Sequence, residues 1–355
     1  MKIKLAILER DKVYLMRMVS TFGTKYGEHL EIYSFTDPEV ALETLNTARI
    51  NMLLASDAFS IDVSRLPNRC AFAYLVDAVG VDTVNGQRAI GKFQKADLIY
   101  KQILSAYSEK ATSITGFCQS DEEGKILMFS SPSGGVGNST MAASCAMYLA
   151  RQGRKVLYLN LETFGSADLF FSGEGQSDMS DIIFALKSRK ANLPLKLESC
   201  VKRDKSGVCF FSQTRIALDR MEMTTEDTLQ LLSELKLTGG YDYIVADLDF
   251  GLDRDMLSIY RQAAAIIMVG DGSMESNRKT ERAYVALSTL EAEADVPLNN
   301  RVAYLYNRVS SKNGVTIQAP GLKVLGGAPR YSGGSTRQVM ELLAATDLFD
   351  TVVRE

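Results

Sequence analysis

The sequence predicts two consecutive α/β domains, each a parallel sheet with helices on both faces. Apolar, strand-length runs alternate with helical stretches along the chain, a polar, turn-rich segment interrupts the alternation at residues 111–123, and a glycine cluster follows the first strand beyond it. A chain of 355 residues, 46% of them hydrophobic, is enough for two buried cores.

In the first domain, residues 1–110, strands are expected at Lys4–Leu8 and Leu30–Phe35 around a helix at Lys12–Tyr26. A helix at Glu39–Thr47 leads to strands at Met52–Ala55, Ala71–Val76 and Ala89–Phe93, and a last helix covers Ala96–Ser108. Five strands alternating with helices imply a parallel sheet. Thr112–Glu123 reads as the linker.

The second domain, residues 124–355, opens with a buried strand, Lys125–Ser130, then the glycine cluster, then a helix at Ser139–Gln152. Further strands are expected at Val156–Leu161, Val208–Phe211, Tyr243–Asp247, Ala264–Gly270, Val302–Asn307 and Leu322–Gly327. Ligands of such sheets sit at the carboxyl ends of the strands, so the polar residues there are read as one site.

The cluster runs Ser131, Pro132, Ser133, Gly134, Gly135, Val136, Gly137, Asn138, Ser139, Thr140. Strand, glycine loop and helix come in the order of a phosphate-binding loop, whose backbone N–H groups curl around a phosphate at the positive end of the helix. The competing reading is an ordinary strand-to-helix turn that uses glycine for its positive φ angles. Against the pattern G-x-x-x-x-G-K-[ST], Pro132 replaces the first glycine and Asn138 the lysine, whereas Ser139 and Thr140 keep the hydroxyls, of which Ser139 is the Mg2+ candidate. The loop is thus suited to holding a nucleotide rather than hydrolysing it quickly.

Asp247 ends an apolar run and is placed to support Mg2+, directly or through water. Asp249 faces either the same metal or solvent. Asn160 and Glu162 point the same way in an extended segment; Glu162 is the candidate for orienting an attacking water, or else a strand-end glutamate facing solvent. Asn307 closes its strand where an amide can pair with a base edge, and the turn through Pro329 could close over the same base.

The remaining composition narrows the function classes. The 40 basic and 43 acidic residues are interspersed, net charge −3, so no basic field points to nucleic acid. Five cysteines without C-x-x-C spacing and a single histidine, His29, give no zinc or disulfide framework. Cys145, in the alanine-rich helix, is expected in the core. The apolar run at Met1–Leu8 is too short for a signal peptide and nowhere do 18 apolar residues stand together, so a cytoplasmic protein is expected.

The first domain resembles a response-regulator receiver, a flavodoxin-like sheet, through its hydropathy order. Glu9 and Asp11 stand in the place of the acidic cluster, with Arg10 intruding; Ser56 aligns with the phosphoacceptor and Asp57 lies one position beyond; Lys95 takes the lysine position, with Ala96 in place of the usual proline. The resemblance implies a docking or dimerisation module that has kept the fold and lost the phosphotransfer, with a regulator phosphorylated on Asp57 as the alternative.

In the second domain the glycine loop, the run from Tyr241 to Asp247, the strand ending in Asn307-Arg308 and the Gly-Ala-Pro329 turn resemble the deviant-Walker-A ATPases of the MinD and ParA type, across roughly residues 124–350. Joined to a receiver-like domain, the arrangement is similar to the TadZ/CpaE proteins of Tad (Flp, type IVb) pilus assembly. The resemblance implies an ATP- and Mg2+-bound homodimer that recruits pilus secretion proteins at a cell pole; an active ParA/MinD-like ATPase in partitioning or positioning is the alternative. Ser133 stands where the signature lysine of that family would reach the partner's nucleotide, so turnover should suffer more than binding. From Met340 to Glu355 four carboxylates face Arg354 alone, so the tail is not expected to be a basic membrane anchor.

Overall fold

The computed structural model describes residues 2–78, 80–111, 123–165, 167–189, 192–238, 240–294, 298–309 and 314–353. The chain forms two compact units, Met1–Cys118 with Phe184–Cys200, and Gln119–Ile183 with Val201–Glu355. Residues 184–200, which the sequence places inside the second domain, thus group with the first unit. Most of the expected linker lies outside the described residues.

The strands of the first unit are β1 (Ile3–Leu8), β2 (Leu30–Phe35), β3 (Met52–Ser56), β4 (Ala71–Val76), β5 (Thr83–Val84) and β6 (Gln87–Gly91). They lie in the order β2-β1-β3-β4-β6-β5, parallel throughout except for β5 against β6. Helices α1 (Lys12–Tyr26), α2 (Pro38–Thr47) and α3 (Ala96–Ser108) connect them. β3 is buried at every residue and β1 at all but one, as expected of central strands covered by helices on both faces. Asp11 and Asp37 start α1 and α2, each carboxylate accepting two backbone N–H bonds of the first turn. The β5–β6 hairpin is absent from the sequence expectation. Its turn residues Asn85 and Gly86 both take left-handed φ angles, 51° and 72°, as tight two-residue hairpins require.

The second unit contains β7 (Lys125–Ser130), β8 (Val156–Asn160), β9 (Lys202–Arg203), β10 (Cys209–Phe210), β11 (Tyr243–Asp247), β12 (Ala265–Gly270), β13 (Val302–Val309) and β14 (Lys323–Pro329). Their order is β14-β13-β12-β7-β11-β8-β10-β9, parallel except for β9 against β10. Its first helices are α4 (Asn138–Arg151), α5 (Ala167–Phe170) and α6 (Met179–Ser188), which runs up to and past the boundary at residue 184. The next helix, α7 (Leu193–Cys200), belongs to the first unit. There it lies on α3: Leu195 joins the core that contains Ile99 and Ile103, and Lys196 Nζ donates to Ser105 Oγ at 3.2 Å.

Later come α8 (Ala217–Met221), α9 (Thr225–Thr238), α10 (Arg254–Tyr260), α11 (Met274–Ala294), α12 (Thr336–Leu343) and α13 (Asp350–Val353). α4 is buried along most of its length, its alanines allowing close approach to the sheet, and Cys145 is fully enclosed; burial pushes its thiol up. Met340 and Leu343 of α12, Phe349 in the 3-10 turn Asp347–Phe349, and Val352 of α13 spend their apolar side chains in that same core. No helix among the described residues is long and apolar enough to cross a membrane.

Candidate functional site

The glycine loop joins the carboxyl end of β7 to the first turn of α4. Ser131 Oγ anchors it by donating to the carbonyl of Val269 at 2.6 Å, at the end of the neighbouring β12. Gly135 and Gly137 take left-handed φ angles of 75° and 86°, which glycine adopts without steric cost. Gly137 also has no room for a side chain, since a β-carbon there would lie 2.5 Å from Asn307 Nδ2. α4 starts at Gly137 without a side-chain cap, so its first amides are those the loop can offer to an anion.

The end of β13 clamps the loop from outside. Asn307, buried, donates from Nδ2 to the carbonyl of Val136 at 2.8 Å, and Arg308 donates from Nη1 to the carbonyl of Gly135 at 2.7 Å. Asn307 therefore engages the loop backbone through the amide that the sequence assigns to a base edge.

At the foot of α4 lies a buried polar network. Asn138 Nδ2 donates to Asp247 Oδ1 at 2.8 Å, so the residue in the lysine position is turned onto the carboxylate that ends β11. The other oxygen of Asp247 accepts from Tyr158 OH at 2.8 Å and from Asn160 Nδ2 at 3.1 Å. The same Asn160 amide donates to Glu162 Oε2 at 3.1 Å, and Ser139 Oγ donates to both Glu162 oxygens at 3.2 Å. Asp247 is fully buried. Burial, and next the charge of Glu162, push its carboxyl up out of the usual carboxylate range, against the bonds from Tyr158, Ser139 and Asn138. Asn138 Oδ1 and Ser133 Oγ are buried with no hydrogen-bond partner, a costly state that points to a ligand or ion meeting them.

The loop opens on a cavity of about 360 Å³, lined by Ser133 to Thr140 together with Ser131, Glu162, Phe170, Leu248, Asp249, Phe250 and Arg308. That volume is in the range of small-molecule sites. Asp249, on the rim, is committed to Thr163, whose N–H and hydroxyl both donate to its Oδ2 at 2.8 Å. Pro329, at the exposed end of β14, is not among the lining residues. Tyr158 was missed by the sequence reading, although its place on β8, two residues before Asn160, gives both side chains the same face.

In the first unit the corresponding cluster gathers around Lys92. Its ammonium lies 2.8 Å from Glu9 Oε2 and 3.0 Å from Asp77 Oδ1, and donates to Ser56 Oγ at 3.3 Å. Burial alone would lower the Lys92 pKa, but the bonds to Glu9 and Asp77 outweigh it and hold it above the ordinary value. Of the four residues expected here, only Glu9 faces this ammonium. Asp11 turns its carboxylate onto the first turn of α1, Asp57 is exposed, and Lys95, also exposed, stands at the start of α3. The lysine shifts by three positions because β6 ends at Gly91, two residues before the expected end.

Residues 1–108 match the family model described as TadZ-like, receiver domain. Over 151 residues the chain is 26% identical to an uncharacterized ATP-binding protein of Methanocaldococcus jannaschii, which aligns 41% of this chain with 52% of the relative. The chain thus spans about half the length of that curated relative. A ParA family ATPase of Chlorobium tepidum superposes with a TM-score of 0.52 at 21% identity, covering 65% of this chain and 97% of that one. A MinD cell division protein of Aquifex aeolicus gives 0.49 at 18% identity, covering 65% and 95%. Residues 1–108 thus match a TadZ-like receiver domain, and the second domain has the fold of a ParA family ATPase.

Proposed function

We propose that the second domain holds ATP with Mg2+ and that the loaded chain is a dimerising scaffold for Tad-type pilus assembly, cytoplasmic and recruited to a cell pole, with weak or absent hydrolysis. One observation carries this reading: where phosphate loops place an ammonium, Asn138 presents an amide already bonded to Asp247. The left-handed glycines, the amides at the foot of α4 and the cavity beside them still favour a bound phosphate. Charge that develops during transfer is left without the two lysines, so turnover loses more than binding.

The residues present fit Mg2+. Ser139 and Asp247 offer oxygen donors, and magnesium is commonly held by one or two protein oxygens together with phosphates and waters. Among the described residues no cluster of three or more His, Cys, Asp or Glu could hold a metal alone. When bound, the ion would offset phosphate charge beside Asp247 and Glu162.

A dimer is supported by apolar side chains left outside the core of the second unit: Phe164, Leu169, Leu218 and Met221 are each at least 62% exposed. Arg220, between the last two on α8, is tied to the Leu161 carbonyl at 2.7 Å. The pilus context rests on the TadZ-like receiver domain. A second reading, an ATPase that turns over, is favoured by Glu162, whose carboxylate stands on the cavity wall at 3.2 Å from Ser139 Oγ.

Calorimetry with Mg·ATP, sedimentation with and without nucleotide, and a turnover assay test the proposal together. Binding with a shift to dimer and turnover below about one per minute is expected. No measurable uptake of Mg·ATP would end it, and fast hydrolysis abolished by Asp247→Ala would select the second reading.

A further inference from the structure

A phosphate site lined by carboxylates needs a cation, and the loop brings none. Ser133 and Asn138 occupy the positions of both lysines, while Glu162 and Asp249 line the cavity. Among the described residues lining it, Arg308 is the only cation.

Its placement is unusual in two independent ways. The β13–β14 ladder pairs Tyr306 with Gly327 and Val309 with Pro329, so Asn307 and Arg308 together oppose the single residue Ala328. Such a bulge re-aims side chains that a regular strand would alternate between faces. Arg308 moreover has a φ of 57°, in the left-handed region that residues with a side chain seldom enter unless the surroundings impose it. Together these lay the guanidinium along the outer wall of the loop. Nη1 donates to the Gly135 carbonyl, and a β-carbon on Gly137 would sit 3.4 Å from Nη2 and 3.6 Å from Cζ. The head group therefore meets Gly135 and Gly137 of the loop and remains exposed toward the cavity.

We infer that Arg308, delivered from the end of β13, is the polyphosphate-binding cation of this site and replaces the positive charge that the loop has lost. The assignment rests on the nucleotide-binding reading above. An arginine suits the role because its planar fork can keep one N–H on the Gly135 carbonyl while offering others to phosphate oxygens, which a lysine ammonium at the same place would do less well.

The test is calorimetric titration of the full chain with Mg·ATP, and separately with Mg·tripolyphosphate, for the wild type, Arg308→Gln, Arg308→Lys and the double variant Arg308→Gln with Asn138→Lys. Arg308→Gln should weaken both ligands by about 30-fold, as loss of a charge-assisted bond would. Arg308→Lys should keep part of the affinity. Restoring an ammonium at position 138 should recover about tenfold or more, since the missing element is charge. Thermal melting of the unliganded variants isolates the clamp on Gly135, and a small shift in melting temperature alongside the affinity loss is expected. If the wild type binds and Arg308→Gln binds within about threefold of it, the assignment is wrong. It is equally wrong if Arg308→Gln loses affinity only in step with a large loss of stability and Asn138→Lys brings none back. A wild type that takes up no Mg·ATP overturns the nucleotide reading itself, and this assignment with it.

Discussion

Chelating magnesium should nearly abolish ATP binding to this chain, and the geometry at the foot of α4 sets the scale. Asn160 Nδ2 lies 3.1 Å from Asp247 Oδ2 and 3.1 Å from Glu162 Oε2, so one amide joins two carboxylates. Ser139 Oγ touches Glu162 at 3.2 Å. At mildly alkaline pH, where Asp247 is ionised despite its raised pKa, a terminal phosphate taken up by the first amides of α4 would come within roughly 5 Å of both carboxylates, each repelling it by about 3 kcal/mol at an effective dielectric near 20. Two such terms, partly offset by the Arg308 guanidinium, leave about 4 kcal/mol, close to a thousandfold in affinity. A fluorescent ATP analogue titrated in excess Mg2+ and then in excess EDTA measures the difference directly. Combining Asp247→Asn with Glu162→Gln should raise metal-free affinity and shrink the gain from Mg2+. Equal affinity with and without the metal, within about threefold, would refute the electrostatic reasoning, because the carboxylates would then not be sensed by the phosphates.

Asn138→Lys alone should tighten Mg·ATP binding by about tenfold or more yet leave turnover slow while Ser133 remains uncharged; full ATPase activity in a coupled assay would contradict this. In the first unit, Lys92→Met leaves the Glu9 carboxylate, 3% exposed, without its counter-charge and should cost about 3 kcal/mol in chemical denaturation; adding Glu9→Gln should recover a large part. Acid stability of the second unit should depend on Asp204. Burial opposes its charge, but bonds from Ser172, Ser206 and Arg337 hold its pKa down to about 2. With a folded value below the unfolded one, its contribution is complete above about pH 4 and fades as the pH falls toward 2, about 2 kcal/mol in all. Asp204→Asn should flatten that acid limb in melting curves recorded against pH.

Strands buried on both faces were legible because their apolar runs are unbroken, as in Tyr243–Asp247 and Ala265–Gly270. The loop was legible from glycine spacing, and Asp247 from its place after such a run. What escaped depends on where side chains turn at strand ends. Lys95 was placed in the lysine position because hydropathy extends the last strand through Phe93, whereas the ladder stops at Gly91. The short hairpin through Asn85 and Gly86 offered only its turn residues, each arm being too brief for alternation. α7 falls in the stretch assigned by chain order to the second domain, and no local pattern tells which of two cores will accept Leu195.

That last placement has a practical corollary. The polypeptide leaves the receiver unit near residue 118, returns to it for 184–200 and departs again, so no single cut yields two intact pieces. A fragment ending near residue 110 would bare the flank of α3 that α7 covers, inviting aggregation unless the excised helix were supplied in trans or grafted through a short tether. Chain-order folding is also constrained: during synthesis the N-terminal sheet must wait, one flank wet, until more than seventy further residues have been made.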